Sequence, residues 1–258
     1  SAGVGRLIQR IAGERLAKVC MELGGKNPLV VCDDADLDVA ADTTILSAFS
    51  NAGQRCASGS RIIVFNAIYD KFRDMLIDRT GKLKMGPSDT DDFGPVINAK
   101  QLASMVEAVE GARESGATIL TGGKRLTDDE HKDGFYMAPT IIEDARPSDA
   151  ISRDELFGPI TCLYRVKGFT EAVELVNDSP FGLTAAIHTK NMHRAMTFMN
   201  EVKTGVISIN GATYGSEPHM PFGGLGQSGT GWREAGTEAL DVYSDWKTVY
   251  IVHDPTDV

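Results

Sequence analysis

The chain has 258 residues, and 26 Lys and Arg against 36 Asp and Glu leave it with a net charge of −10. Hydrophobic residues make up 42% and charged residues 24%, which excludes disordered and fibrous classes and leaves ample chain for a sizeable core. No apolar run reaches the roughly 20 residues of a membrane span, and the acidic balance speaks against nucleic acid, whose phosphates require clustered Lys and Arg. Cys20, Cys32, Cys56 and Cys162 are too scattered for a disulfide framework and form no C-x-x-C pair. The five histidines show no ligand spacing, so no metal is expected. Free thiols point to a reducing compartment, the cytoplasm. The opening SAGVGR carries no initiator Met, basic n-region or apolar h-region, so no signal peptide is expected.

Apolar periodicity predicts alternating helices and strands. A helix is expected over Val4–Lys18, then an apolar stretch Val19–Leu23 running into Gly24-Gly25, and a buried strand Leu29–Cys32. Asp36 can cap a helix that turns Leu37, Ala41, Ile45, Ala48 and Phe49 inward. Strands follow at Ile62–Phe65, Thr118–Leu120, Thr140–Ile142, Ile160–Val166, Thr184–Thr189 and Val206–Ile209. Helices are expected at Tyr69–Ile77, Ala99–Ser115, Thr170–Asn177 and Met192–Val202, with loops at Met85–Pro95 and Gly122–Gly134. Beyond Ile209 the chain is glycine-rich to Gly231, then closes with a short helix near Arg233–Ala239 and a strand at Thr248–Val252.

Three segments carry groups suited to chemistry. In FSNAGQRC (residues 49–56), Cys56 follows a polar, glycine-containing turn and precedes an apolar strand. A thiol there is placed for partial exposure, and Arg55 beside it is expected to favour the thiolate. The alternative, a buried thiol acting as a small hydrophobe, suits Cys20, Cys32 and Cys162, which sit in apolar runs. In ELGGK (22–26), Glu22 is expected at the end of an apolar strand, where α/β folds put working residues, with partial burial raising its pKa toward general-base work. The competing reading is a solvated edge carboxylate. Gly224, Gly226 and Gly229 match G-x-G-x-x-G, but without a strand before or a helix after they read as a pocket loop rather than a dinucleotide fingerprint. SAGVGR leads directly into a helix, whose free N–H groups could hold a phosphate.

Taken in order, SAGVGR, MELGGKNP, FSNAGQRC, ELFGPI and PFGGLGQSG resemble the aldehyde dehydrogenase superfamily from Ser1 to about Tyr250, and residues 22 and 56 show the family's usual Glu-to-Cys separation. Family members are longer, and the resemblance makes this chain their C-terminal half. It implies an α/β fold: a three-layer αβα catalytic domain with an incomplete Rossmann-like cofactor domain. Residues 1–24 would be the end of the dinucleotide-binding domain, 25–226 the catalytic domain, and 227–258 a return segment with a terminal oligomerisation strand. Cys56 matches the nucleophile and Glu22 the base that activates water for thioester hydrolysis. Glu155 matches the residue holding the nicotinamide ribose, with Phe157 packed nearby, Ser1 a pyrophosphate contact and Gln101 a contact toward the adenosine ribose. Gly24 lies at the turn the cofactor passes, and Phe222 lines the substrate entrance. The cofactor would be NAD or NADP, the substrate an aldehyde, and the assembly a homodimer or homotetramer. Half of the family's oxyanion hole would lie upstream of Ser1, a loss of roughly two to three orders of magnitude in rate.

The Gln-Arg-Cys and WREAG (232–236) segments are similar to members acting on semialdehydes, where Arg55 or Arg61 could meet a distal carboxylate, although surface solvation is the plainer expectation for both. Two other readings stay open. One is a non-catalytic fragment that self-associates through Lys247–Val252. The other is a cysteine thioesterase, which would need a histidine beside Cys56.

Overall fold

The computed structural model describes residues 1–253 and Thr256. Helix α1 (Ala2–Glu14) opens the chain. It ends short of the expected Lys18 because Leu16 adopts φ +54°, with its N–H on the Gly13 carbonyl and the Ala17 N–H on the Ala12 carbonyl. That is a Schellman stop with leucine where glycine is usual. Strand β1 (Asn27–Val31) leads to α2 (Leu37–Phe49), whose Asp36 cap accepts the Val39 N–H as expected. A 3₁₀ turn over Ser50–Gly53 then passes to β2 (Gly59–Phe65) and α3 (Tyr69–Thr80). Next come α4 (Ala99–Glu114), β3 (Thr118–Thr121), β4 (Thr140–Glu143), the short α5 (Ala150–Arg153) and β5 (Ile160–Val166). The chain continues through α6 (Phe169–Asn177), β6 (Phe181–Gly182), β7 (Thr184–His188), α7 (Met192–Glu201), β8 (Val206–Ile209), β9 (Leu225–Gly226) and α8 (Ala239–Tyr243).

Seven strands form one sheet in the order β3-β4-β5-β2-β1-β7-β8, parallel except for β3 at the edge. Alternate residues of β1 face opposite layers. Leu29 and Val31 join Ala41, Phe49, Phe72 and Leu76 from α2 and α3. Val30 and Cys32 face Met105, Val109, Val173 and Phe198 from α4, α6 and α7. Helices therefore cover both faces, which is why the central strands read as unbroken apolar runs, and the molecule is a three-layer αβα sandwich.

Two stretches depart from the sequence reading. The closing helix forms at Ala239–Tyr243 rather than 233–239, because residues 222 and 234 pair as a bridge and hold that segment extended. No strand forms over 248–252: these residues are exposed and pair with no strand among the described residues. Residues 254, 255, 257 and 258, the end of the expected return segment, lie outside the described residues. The apolar stripe of α1 is also uncovered, with Val4, Leu7, Ile8 and Ile11 each 45–55% exposed. Among the described residues no helix is long and apolar enough to cross a membrane.

Candidate active site

Strands β5, β2 and β1 are parallel neighbours, so the loops that lead into them emerge at the same edge of the sheet. Residues 155–158 lead into β5, 56–58 into β2 and 24–26 into β1. The candidate groups thus gather at the amino ends of the strands, not at the carboxyl ends where open α/β sheets usually bind ligands. Glu22 correspondingly lies on no sheet strand; its backbone makes an isolated bridge with Gly229, which stitches the glycine-rich loop over it.

The cysteine loop is pinned from several sides. Asn27, buried at the start of β1, donates from Nδ2 to the carbonyls of Cys56 (2.7 Å) and Ser58 (2.8 Å) and accepts the Thr184 N–H on Oδ1 (3.2 Å). The β1–β2 register shifts between Asn27 and Pro28, and this bulge suits a proline, which has no N–H to give a central ladder. Gly25 lies so close that a Cβ there would strike the Cys56 carbonyl. Thr213 takes the other side, donating its hydroxyl to the Ala57 carbonyl (2.7 Å) and its N–H to Ser47 Oγ (3.2 Å). Gln54 ties in residues 95–97, donating to the Pro95 carbonyl (3.2 Å) and accepting the Ile97 N–H (2.9 Å). Just upstream, Asn51 (φ 56°) and Ala52 (φ 53°) occupy the left-handed region, a backbone cost that the surrounding bonds sustain.

Within this frame Cys56 is half-buried, and its thiol pKa is raised by burial and by the charges of Glu155 and Glu22. The amides of Ala57 and Cys56 pull the other way. Arg55 does not supply the expected acidifying charge. It turns away, donating from Nη1 to Ser50 Oγ (3.0 Å) and lying 4.3 Å over the Tyr214 ring. Arg61 is not solvated either: it is 1% exposed and donates to the Leu175 carbonyl (2.7 Å).

Glu22 has both carboxylate oxygens shielded from solvent, and neither makes a hydrogen bond of normal geometry. Burial and the nearby Glu234 charge raise its pKa to about 7, against the opposing pull of Arg233. Such a carboxylate can carry or release a proton near neutrality. Cys20, expected in an apolar strand, is instead partly exposed, with Sγ 3.7 Å from Glu234 Oε1. Cys32 and Cys162 are buried, and burial pushes the Cys32 thiol to about 12.

Ser1, Glu22, Gly24, Cys56, Gln101, Glu155 and Phe157 line one cleft of about 480 Å³, with Leu23 and Ile97. Phe222 is not in that lining; its N–H and C=O pair with Glu234 (both 2.8 Å). Glu155 accepts the Gly25 N–H (2.9 Å), and burial raises its pKa. A Cβ on Gly24 would collide with this carboxylate, so only glycine leaves the passage open. Lys26, buried, donates to the Asp154 carbonyl (2.7 Å), and Gln101 Nε2 donates to the Leu156 carbonyl (2.8 Å). Together they hold the 154–157 turn, in which Phe157 has φ 54°. Ser1 caps α1 without a side-chain bond, leaving the first-turn N–H groups free at the mouth of the cleft. The bare Gly24, the Glu155 carboxylate and this helix start form a cradle that fits a dinucleotide: amides for phosphate, a carboxylate for sugar hydroxyls.

A larger groove of about 750 Å³ lies at the carboxyl ends of β4 and β5, but its charges are largely spent on one another: Arg73 faces Asp74 and Glu143, Arg146 faces Asp149, and Arg165 faces Asp70. The unpaired acid and the partly accessible thiol are in the smaller cleft.

Asn27, Thr213, Lys26 and Gln54 were not singled out from sequence. Asn27 left one readable sign, an amide at the head of an apolar strand and directly before a proline; Thr213 left none.

Residues 1–249 match the sequence profile of the Aldehyde dehydrogenase family. The chain is 38% identical over 250 residues to alpha-ketoglutaric semialdehyde dehydrogenase of Bacillus subtilis (strain 168), covering 96% of this chain and 51% of that protein. It is 38% identical over 254 residues to a mitochondrial aldehyde dehydrogenase of Leishmania tarentolae, covering 97% and 50%. Among solved structures, betaine aldehyde dehydrogenase from Staphylococcus aureus in complex with NAD+ superposes with a TM-score of 0.91 at 38% identity, covering 94% of this chain and 48% of that one. The chain spans about half the length of the relatives it matches. With fold and sequence in agreement over nearly its whole length, the chain belongs to the aldehyde dehydrogenase family.

Proposed function

We propose that this chain forms the catalytic half of an oxidoreductase that converts an aldehyde to a carboxylic acid with NAD+ or NADP+. The observation that carries the reading is the unpartnered Glu22 carboxylate, poised near neutrality in the same cleft as the Cys56 thiol. Cys56, once deprotonated, adds through Sγ to the aldehyde carbon to give a thiohemiacetal, its oxyanion facing the Cys56 N–H. A bound nicotinamide would supply the hydride acceptor, converting the adduct to a thioester on Cys56. Glu22 then takes a proton from water, which attacks the thioester carbonyl; the acid leaves and the thiolate is restored. Glu155, Gly24, Ser1 and Gln101 would hold and orient the dinucleotide, Phe157 would pack beside its ribose, and Phe222 would stand at the substrate entrance.

The NAD+ complexes of the structural relatives support a nicotinamide cofactor, and the Bacillus relative supports a semialdehyde as substrate. In this reading residues 1–24 close the dinucleotide-binding domain, 25–226 carry the chemistry, and Lys247–Val252, in the 227–258 return segment, joins a second subunit in a dimer or tetramer. Four free cysteines support the reducing cytoplasm as the setting. The test is reduced-nicotinamide formation over a panel of aldehydes, with the chain alone and joined to the upstream half that its relatives carry. Activity in the joined form is expected. Activity in neither would overturn the reading and favour a non-catalytic fragment.

A further inference from the structure

We infer that Lys26, buried behind the dinucleotide cradle, is a positioning residue: its ammonium grips the backbone at Asp154 and supplies the counter-charge for the Glu155 carboxylate. The inference rests on the nicotinamide-dependent reading above and names the group that readies Glu155 for sugar hydroxyls.

Lys26 differs from every other lysine of the chain. The rest are exposed, whereas Lys26 is 4% exposed. Among the described residues it is in no ion pair, and it donates from Nζ to the Asp154 carbonyl (2.7 Å). Burying an ammonium is unfavourable unless an anion balances it. The side chain of Asp154 does not serve, because that residue is exposed and water screens its charge. The next residue, Glu155, is the half-buried anion at hand.

Two consecutive residues of one loop hold two consecutive residues of the other. Gly25 donates its N–H to Glu155 Oε1 (2.9 Å), and Lys26 donates to the carbonyl one residue earlier. Glu155 Oε2 stands over bare Gly24, where both residues line the cleft. Lys26 stays beyond ion-pair distance, so it balances the carboxylate without occupying that oxygen. Gly25, Lys26, Ser58, Ser60 and Glu155 line a cavity of about 20 Å³, room for about one water, so the ammonium is felt across it with little screening.

Few charges face this pair. Burial pushes the Glu155 carboxyl up, while the Gly25 amide, the Ser1 amine and Lys26 pull it down. In a chain continued upstream Ser1 carries no charge, and Lys26 is the cation that remains. Arg55 lines the same small cavity but is engaged with Ser50 and Tyr214. Glu22 and Cys56 share the cleft on the other side. Around Lys26, burial and Arg61 disfavour the ammonium, whereas Cys162, Asp154 and Glu155 favour it. Lysine and glutamate thus each make the charge of the other tolerable. The benefit lies at the sugar, because an ionised carboxylate accepts hydroxyls on both oxygens and a protonated one loses part of that capacity.

The experiment uses the chain joined to its upstream half. Calorimetric titration gives the Kd of NAD+ and of NADP+ at about pH 6 and about pH 8 in wild type, Lys26→Gln and Lys26→Arg. Gln keeps a donor for the Asp154 carbonyl without the charge, and Arg keeps the charge. The ratio of Kd at the lower pH to Kd at the higher pH is expected to be about tenfold larger in Lys26→Gln than in wild type, and close to wild type in Lys26→Arg. Lys26→Met, which fills a similar volume without charge, carries the same expectation if Lys26→Gln does not fold. With Glu155→Gln also in place, the effect of Lys26 on the ratio should vanish. Infrared difference spectra without cofactor, each form against the same form carrying Glu155→Gln, read the Glu155 carboxyl directly. Its protonated band should emerge at higher pH when Lys26 is replaced by Gln. A band that ignores Lys26, or a Kd ratio that changes as much with Glu155→Gln in place, overturns the inference. If neither dinucleotide binds wild type but the band moves with Lys26, the positioning role stands and the nicotinamide reading falls. If dinucleotide binds and aldehydes are oxidised while ratio and band both ignore Lys26, the positioning role falls alone.

Discussion

The two ends of the central strands each hold a partly buried carboxylate, and they are treated in opposite ways. At the carboxyl ends, Asp34 accepts the Thr189 hydroxyl on both oxygens (2.8 and 2.9 Å), the Lys190 N–H (3.0 Å) and Arg194 Nη1 (3.0 Å). Burial alone would raise its pKa, but these donors win and hold it below the usual carboxylate value. At the amino ends, the Gly224 amide and the Arg233 charge pull Glu22 the same way but are outweighed: burial and the Glu234 charge push it to about 7. The same residue chemistry serves structure where every lone pair is used and reactivity where lone pairs are left open.

The sharpest way to break this contrast is at the thiol. Cys56→Ala should abolish steady-state aldehyde oxidation, by roughly ten-thousandfold or more, while circular dichroism and melting stay close to wild type. Glu22→Gln should slow turnover by about 10²- to 10⁴-fold, preserve a first burst of reduced nicotinamide and lack the acid limb near pH 7 that is expected in the wild-type profile. Its effect on stability has a definite sign. A Glu with a folded pKa near 7 against an ordinary 4.5 stabilises the fold below pH 4.5, and that contribution is lost as pH rises through 7. Unfolding titrations should therefore change less between pH 4.5 and 7 in Glu22→Gln than in wild type.

Asn27→Ala sharpens the comparison from the structural side. It strands the Cys56 and Ser58 carbonyls and the Thr184 N–H, and should cost about 2–3 kcal/mol in denaturant unfolding together with a fall in kcat. The smallest effect is expected at the opposite end. Asp34→Asn should cost about 1 kcal/mol or less near neutral pH and leave kcat unchanged. Because the Asp34 pKa is lowered, its contribution is present above the ordinary value of 3.8 and lost as pH falls below it. The wild-type and Asp34→Asn stability curves should converge in acid.

Much of this was legible before the structure. Unbroken apolar runs such as Ile160–Val166 can be buried on both faces only in a parallel sheet covered by helices, so the layered fold follows from local pattern. Asp36 announced its helix because a cap bonds within three residues. What stayed hidden depends on partners distant in sequence. Thr213 is an ordinary threonine until the chain brings it 2.7 Å from the Ala57 carbonyl. Arg61, in β2, looked like a surface cation because the carbonyl that takes its proton, Leu175, belongs to α6, distant in sequence. Arg55 looked like an activator of Cys56 because adjacency in sequence says nothing about side-chain direction, and Tyr214 drew it away. Near the C-terminus, Val249–Val252 has the composition of a strand but pairs with no strand among the described residues.

The central claim is that Cys56 carries the acyl group and Glu22 removes it. Its most direct test is acid-quenched peptide mass spectrometry of Glu22→Gln, in the chain joined to its upstream half, after mixing with aldehyde and oxidised nicotinamide cofactor. The account predicts an acyl mass on the peptide containing Cys56, close to one per site, that wild type shows only in small amount. An acyl group on another residue, or none while reduced cofactor accumulates, would contradict it.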